Sequence, residues 1–161
     1  MAVSVGDRVP DVQLKMVDDN KTELVSTADV LGKGKVVLFG VPGAFTPTCS
    51  DVHLPGFLVR GDDLRAKGVD RIFCTSVNDA FVMSAWARSQ GAEGKVAMLA
   101  DGSADFARAM GLDLDLSKGG LGTRNKRYAA VIEDGVITHL AVEEGTGLDV
   151  SSADSLLSVL G

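Results

Sequence analysis

The sequence has few cysteines, few histidines and few aromatic residues. Of its 161 residues, two are cysteine and two are histidine, and aromatic side chains make up 5% of the chain. Two cysteines in a chain without secretory features are more often functional or buried than joined in a permanent disulfide. Because aromatic rings are scarce, we expect a core built mainly from valine, leucine, alanine and isoleucine.

Positive charge is also scarce. The formal net charge is −6, which disfavours a surface for nucleic acid or for an anionic membrane. Arg124, Lys126 and Arg127 do cluster. Three cations can bind one small anion but are too few to follow a phosphate backbone, so neither nucleic acid nor membrane is expected as a partner.

Long apolar runs are missing as well. The longest candidate, residues 36–45, is interrupted by Gly40, Pro42 and Gly43, and no run reaches the roughly 18 apolar residues of a membrane helix. Residues 1–10 lack the apolar stretch of a secretory signal. We therefore expect a cytoplasmic protein, and the sequence leaves open an organellar one whose transit peptide has been removed.

Hydrophobic periodicity and turn residues predict alternating strands and helices. Strands are predicted over residues 13–17, 22–25, 35–41, 71–77, 95–99, 127–132 and 136–142. Helices are predicted over residues 27–31, from 47 to about 67 with a bend at Pro55, over 79–89 after an Asn78 cap, from Ser103 to near Gly111, and from Ser151 or Ser152 to 160. Parallel units followed by an antiparallel hairpin predict a single α/β domain over residues 1–161, with a mixed central sheet flanked by helices.

Cys49 lies where the strand over residues 35–41 gives way to a helix. Thr46 followed by Pro47 is typical of a helix start, which places Cys49 in the first turn. A helix N-terminus favours a thiolate, the form that reacts as a nucleophile. Lowering a thiol pKa by two units takes about 2.7 kcal/mol, more than a helix end usually supplies. A second donor is therefore needed, and the Thr46 hydroxyl and Arg127 are candidates.

An inert alternative for Cys49 is a small apolar residue packed beneath the helix. Its position after the carboxyl end of a strand disfavours that interpretation, because α/β sites form at such positions.

The segment PGAFTPTCS, residues 42–50, resembles the peroxidatic motif of the peroxiredoxins, and its Gly-Ala-Phe form is similar to the type II, peroxiredoxin-5-like branch. The resemblance extends to VGDRVPDVQL, FCTSVNDAFVMSAWA and GTRNKRYAAVIEDGVI. It implies a thioredoxin-like fold, no cofactor, and thiol-dependent reduction of hydrogen peroxide and alkyl hydroperoxides through a cysteine sulfenic acid.

By the same resemblance, Pro42, Thr46, Cys49 and Arg127 match the family's active-site positions. Cys49 would be the nucleophile, and the Thr46 hydroxyl would contact the thiolate and the peroxide. Arg127 would stabilise the thiolate and the charge on the leaving oxygen. Pro42, which has no N–H group, would close the pocket without adding a donor.

Cys74 lies 25 residues after Cys49 in an apolar strand, so the spacing is not that of a C-x-x-C oxidoreductase. Position alone favours a buried, inert cysteine. The resemblance to plant-type members implies a resolving role, and residues 145–152 contain no cysteine that could take it instead. Bridging Cys49 and Cys74 would require local unfolding. An external thiol is the alternative, and the reductant implied is glutaredoxin with glutathione or thioredoxin.

His53 stands four residues after Cys49, so a catalytic Cys–His pair is a secondary alternative. A zinc site would need both cysteines, His53 and His139 to converge and is disfavoured, so no metal is expected.

Surface features give further expectations. The glycine-rich residues 118–123 are expected to form a flap near Arg127. Four acidic residues are expected on solvated faces: Asp113, Asp115, Glu143 and Glu144. Phe81, Met83 and Trp86 are expected mainly in the core. The resemblance suggests a homodimer in which part of that face, with Phe45, forms the contact.

Two other functions remain to be separated from a peroxidase. One is a peroxide-sensing relay that passes the oxidation of Cys49 to a protein partner. The other is a non-redox α/β domain with two buried cysteines. Multiple turnover with excess peroxide and a thiol reductant would exclude both.

Overall fold

A seven-stranded sheet forms the centre of the protein. The structure is a computed structural model and describes residues 2–160. Its strands are β1 (Gln13–Asp18), β2 (Lys21–Ser26), β3 (Lys35–Gly40), β4 (Arg71–Ser76), β5 (Ala97–Ala100), β6 (Asp113–Asp115), β7 (Thr123–Asn125), β8 (Tyr128–Glu133) and β9 (Val136–Val142). Its α-helices are α1 (Thr27–Val30), α2 (Leu54–Val59), α3 (Gly61–Ala66), α4 (Ala80–Gln90), α5 (Asp105–Met110) and α6 (Ala153–Leu160). A π-helical turn, Cys49–His53, precedes α2, and a 3₁₀ turn, Ser117–Gly119, follows β6.

Parallel and antiparallel strands are combined in the sheet. The strand order is β2-β1-β5-β4-β3-β8-β9. β3, β4 and β5 are parallel neighbours, whereas β1 and β8 pair antiparallel on either side of them. This confirms the predicted α/β architecture with a mixed central sheet. None of the helices described over residues 2–160 has the length and hydrophobicity needed to cross a bilayer.

β3 is buried on both faces, which explains its uninterrupted apolar sequence. Val37 and Phe39 pack in one core with side chains of α2, α4 and α6. Val36 and Leu38 face the second core, which contains side chains of α5. The end of such a strand is a rigid place from which to position a site.

Both predicted hairpins are confirmed. Asp19 and Asn20 join β1 to β2 with φ of 48° and 67°, and Asp134 and Gly135 join β8 to β9 with φ of 49° and 85°. Positive φ at both central residues matches the two-residue turns that suit twisted antiparallel strands.

Two helix starts differ from the prediction because an acidic residue supplies the cap. Asp79, rather than Asn78, accepts the Val82 N–H at the start of α4. The buried Asp101 carboxylate accepts N–H groups from Phe106 and Ala107 in α5, where Ser103 was expected to cap. Burial raises the pKa of Asp101 above its usual range, and the two N–H donors oppose this effect.

The pattern missed a second, two-stranded sheet. β6 and β7 pair antiparallel, so that Asp113 lies opposite Asn125 and Asp115 opposite Thr123. Asp113 and Asp115 are exposed in this hairpin, as expected. The predicted glycine-rich flap forms the loop of this hairpin, which ends two residues before Arg127.

Candidate active site

Cys49 lies at the start of the long helical segment that follows β3. Helical structure begins at Pro47, and the Ser50 N–H donates to the Thr46 carbonyl over 2.9 Å. The Cys49 side chain is fully buried and packs in the same core as Phe39. The predicted position in the first helical turn is confirmed.

The helix is locally widened at Cys49. The Leu54 N–H donates to the Cys49 carbonyl five residues earlier, which makes Cys49–His53 a π-helical turn. Pro55 has no N–H group and so cannot donate to the carbonyl of Asp51. We expected a bend at Pro55, and the structure shows the irregularity in the turn before it. Single π-turns are frequent at functional sites.

The loop before Cys49 is held in an uncommon conformation. Phe45 has φ of 65°, a region that costs energy for a residue with a side chain. Asn78 fixes the neighbouring residue, because its Oδ1 accepts the Ala44 N–H over 3.0 Å. A Cβ at Gly43 would lie 2.9 Å from Arg124 Nη1 and 3.1 Å from Thr46 Cγ2, so a larger residue there would displace the Arg124 side chain and crowd Thr46.

Thr46 and Pro42 lie in this loop as predicted. The Thr46 hydroxyl donates to the Gly43 carbonyl over 2.7 Å instead of capping the helix through its side chain. With its hydrogen committed, Oγ1 presents lone pairs to a ligand. Pro42 is buried.

Arg127 is the residue that the structure joins directly to Cys49. Its Nη2 donates to Cys49 Sγ over 3.1 Å, and both side chains are buried. Nη1 contacts His53 Nδ1 at 2.9 Å, and Nε donates to the Thr146 carbonyl over 2.9 Å. The guanidinium is thus held on three sides with its charge beside the sulfur, an arrangement that favours the thiolate.

His53 is a neutral partner of Arg127. Its Nε2 lies 2.9 Å from the Ser151 carbonyl, so that nitrogen carries the proton and Nδ1 accepts from Arg127. Burial, together with the positive charge of Arg127, lowers the pKa of His53 to about 3. The contact with Arg127 rather than Cys49 disfavours the Cys–His pair considered from the spacing, because a base must accept from its nucleophile.

Cys74 lies fully buried in β4, where its neighbours across the sheet are Phe39 and Met98. Burial raises the pKa of the Cys74 thiol well above its usual range, and the proximity of Cys49 adds to this effect. Neither cysteine is in a disulfide. In this conformation Cys74 is therefore a protonated, weak nucleophile.

Sequence reasoning missed the residues that hold Arg127 from the other side. Glu143, expected on a solvated face, is only 9% exposed and binds the segment that contains Thr146 and Ser151. A lone glutamate after an apolar strand gives no signal of this role. Within residues 2–160, no group of three or more histidine, cysteine, aspartate or glutamate side chains is arranged to hold a metal ion.

Comparison with known proteins identifies the family. The sequence profile of the family described as Redoxin matches residues 4–157. Peroxiredoxin-2B of Arabidopsis thaliana is 46% identical over 159 residues, which cover 98% of each chain. The chloroplastic Peroxiredoxin-2E-2 of Oryza sativa subsp. japonica is 48% identical over 163 residues, covering 98% of this chain and 72% of the relative. The chain belongs to the type II peroxiredoxins, within the redoxin family.

A solved peroxiredoxin structure supports the same conclusion. The reduced Prx3 of Vibrio vulnificus in complex with hydrogen peroxide superposes with a TM-score of 0.93 at 45% identity, covering 99% of both chains. The thioredoxin-like fold predicted for this peroxiredoxin is thereby confirmed, and its activity is that of a thiol-dependent peroxidase. A peroxide-sensing relay is not favoured by these relatives.

Proposed function

We propose that Cys49 is the peroxidatic nucleophile of this peroxidase and that Arg127 and Thr46 bind the peroxide against it. The observation that carries the proposal is the 3.1 Å hydrogen bond from Arg127 Nη2 to Cys49 Sγ inside a buried site. Among residues 2–160 no carboxylate forms an ion pair with this buried guanidinium. Its charge therefore acts strongly on the sulfur, because little water screens it.

The reaction begins with attack of the Cys49 thiolate on one peroxide oxygen. An S–O bond forms as the O–O bond breaks, sulfur loses two electrons, and the leaving oxygen takes the electron pair. That oxygen departs as water or alcohol after protonation, and Cys49 becomes a sulfenic acid. Arg127 stabilises the negative charge as it moves from sulfur to the leaving oxygen.

Thr46 and Pro42 shape the place where the peroxide lies. Because the Thr46 hydroxyl hydrogen is donated to Gly43, Oγ1 accepts from the peroxide O–H and orients it. Pro42 is buried in the same loop and offers no N–H group that could compete for the peroxide oxygens.

Glutathione with glutaredoxin, or thioredoxin, completes the cycle. One external thiol condenses with the sulfenic acid to give a mixed disulfide and water, and a second thiol reduces that disulfide, which returns Cys49 to the thiol. Cys74 resolves Cys49 only after local opening, because its buried thiol is protonated and fixed in β4. Internal closure is therefore the slower route, and we infer that the external thiol is the main one.

Two exposed phenylalanines near the site support a homodimer. Phe45 is 54% exposed and Phe81 is 88% exposed, so the expectation of Phe81 mainly in the core was wrong, whereas Met83 and Trp86 are buried as expected. The Ala44–Asn78 hydrogen bond brings the Phe45 loop next to the start of α4, which carries Phe81. We infer that a second copy covers both rings. Sedimentation of Phe81→Ser should then show a monomer, whereas an unchanged sedimentation coefficient would remove this face from the contact.

The remaining inferences concern the domain organisation and the cellular compartment of the protein. We infer one domain over residues 1–161, because Val17 of β1 and Leu156 of α6, from opposite ends of the chain, pack in the same core. Two free thiols fit a reducing compartment, and we propose the cytoplasm. Cell fractionation tests this proposal, and recovery only in an organelle would contradict it.

Trapping of the sulfenic acid tests the site directly. After one equivalent of peroxide, a dimedone adduct should map to Cys49 in the Cys74→Ser variant. An adduct at Cys74 in Cys49→Ser, formed at the same rate, would contradict the proposal.

A further inference from the structure

Glu143 stands directly after β9 and beside Arg127 in the backbone. Its N–H donates to the Arg127 carbonyl over 2.9 Å, so these residues extend the pairing of β8 and β9. Its side chain is folded inward, and its carboxylate does not contact the guanidinium directly. The link between the two side chains runs through the following loop.

One carboxylate oxygen of Glu143 closes that loop. Oε2 accepts the Asp149 N–H over 2.7 Å, the Ser151 N–H over 2.9 Å and the Ser151 hydroxyl over 2.6 Å. Three donors on one oxygen form a strong, charge-assisted cluster. They lower the pKa of Glu143 although burial opposes this, so the carboxylate is charged at neutral pH.

The loop in turn accepts hydrogen bonds from Arg127 and His53, the two side chains that are joined beside Cys49. The Thr146 carbonyl accepts from Arg127 Nε, and the Ser151 carbonyl accepts from His53 Nε2. Since His53 Nδ1 accepts from Arg127, the hydrogen bonds form a closed ring through Arg127, Glu143, Ser151 and His53. Glu143 is the anionic member of this ring, and its carboxylate ties the loop to it.

Packing alone does not fix the loop. An open cavity of about 490 Å³ lies among residues 142–150, so this segment has little covering it. Residues 144–147 are exposed and belong to no helix or strand. The three bonds to Glu143 therefore act together with those from Arg127, His53 and Ser155 in fixing where the Thr146 and Ser151 carbonyls lie.

We propose that Glu143 is a positioning residue for peroxide reduction, which fixes the loop over residues 144–151 so that Thr146 and Ser151 hold Arg127 and His53 against Cys49. The proposal rests on the proposed function of Cys49. Glu143 acts through these partners and does not touch the peroxide.

Three substitutions separate the effect of side-chain length at position 143 from the effect of its negative charge. Glu143→Gln keeps an oxygen at the same distance but loses the charge, whereas Glu143→Asp keeps the charge and falls one methylene short. Glu143→Ala loses both. A displaced catalytic group costs up to about 10²-fold, so Asp and Ala should lower the second-order rate constant for hydrogen peroxide by about 10- to 100-fold. Gln keeps the acceptor at the same distance but weakens the three charge-assisted bonds, so its rate should lie between those of wild type and Ala.

Glu144→Ala is the matched control, because it removes the same charge one residue later from an exposed position. It should react like wild type. The pH midpoint of Cys49 alkylation by iodoacetamide is the second readout. In the Asp and Ala variants it should move to higher pH, because Arg127 Nη2 no longer aligns with Sγ. Urea unfolding shows whether each variant is folded.

A fast Asp variant would overturn the proposal, since the carboxylate would then not need to reach the Asp149 and Ser151 N–H groups. Unchanged rates and alkylation midpoints in folded Asp and Ala variants would overturn it as well. Cys49→Ser separates a failure of the proposed function from a failure of the positioning role. If Cys49→Ser keeps turnover, the proposed function of Cys49 is wrong. If Cys49→Ser is inactive but the Glu143 variants react like wild type, only the positioning role of Glu143 is wrong.

Discussion

Arg127 donates from Nη1 to His53 Nδ1 over 2.9 Å, and this contact requires an uncharged imidazole. A protonated histidine would have no acceptor to offer and would place a second buried positive charge beside the guanidinium. Burial and the neighbouring charge hold the pKa of His53 at about 3. The site therefore contains one cation, aimed at the sulfur, and a neutral ring that orients it.

His53 makes folding stability fall with acid. Its pKa is near 6.5 in the unfolded chain and about 3 in the folded protein, so the unfolded state binds more protons between these values. The stabilisation is present above pH 6.5 and is lost as pH falls toward 3. From pH 7 to 4.5 we expect His53 to account for about 2.5 kcal/mol of lost unfolding free energy. Urea titrations of wild type and His53→Gln at both pH values measure it.

In that experiment His139→Gln is the control, because it removes the other histidine of the chain. It should lose as much stability on acidification as wild type does. An identical loss in His53→Gln and wild type would show that His53 is not a buried neutral group.

Arg127→Gln should slow Cys49 oxidation by a factor of about 10²–10³, the usual effect of removing one preorganised donor. The pH midpoint of alkylation should rise, because the thiolate loses its cation. Arg127→Lys keeps the charge but cannot reach Sγ, His53 and Thr146 together, so it should recover only part of the rate. Stopped-flow oxidation with hydrogen peroxide measures both variants.

Arg124→Gln provides the comparison for Arg127, since it removes a guanidinium that bonds only backbone carbonyls of Leu121 and Val77. Its effect on the rate should be far smaller. Equal losses at both positions would mean that general positive charge, rather than the Arg127 contact, drives the reaction.

The Thr46 hydroxyl gives a prediction based on shape. Thr46→Val keeps the volume but removes the acceptor, so the rate should fall by about 10- to 100-fold with little change in stability. Thr46→Ser keeps the hydroxyl and should retain most activity. If Thr46→Val is as active as Thr46→Ser, the peroxide does not bind at Oγ1.

The sequence was sufficient to predict the sheet, the two hairpins and the position of Cys49. Each depends on a local cause: apolar runs buried on two faces, turn residues that tolerate positive φ, and a threonine–proline helix start. Arg127 came from the resemblance of its segment to a family motif, and the structure brings it to the sulfur.

The sequence could not predict the contacts between segments that are far apart along the chain. His53 lies 74 residues from Arg127, and Glu143 reaches it only through a loop without regular structure. The cap of α4 shows the same limit. Asp79 caps the helix instead of the predicted Asn78, because the Asn78 side chain accepts the Ala44 N–H. When a polar side chain has two possible hydrogen-bond partners, the tertiary structure decides which one it binds, and the local sequence pattern does not contain that information.

Cys74→Ser should leave the first oxidation step near the wild-type rate, because both the Cys49 nucleophile and its Arg127 donor are retained. The products should differ. Wild type should form some Cys49–Cys74 disulfide after slow local opening, whereas the variant should accumulate sulfinic acid or, with glutathione, a mixed disulfide. Intact-mass spectra after limited peroxide distinguish these species. Identical products and turnover with every reductant would make Cys74 purely structural.

Rapid mixing of the reduced protein with hydrogen peroxide tests the central claim most directly. Trp86, the only tryptophan, donates to the hydroxyl of Ser50 next to Cys49, so its fluorescence should report oxidation of the sulfur. Wild type and Cys74→Ser should show a fast phase whose rate rises linearly with peroxide, with consumption of one equivalent in the absence of reductant. Cys49→Ser should show neither. A peroxide-dependent fast phase in folded Cys49→Ser, with peroxide consumed, would contradict the assignment of Cys49 as the nucleophile.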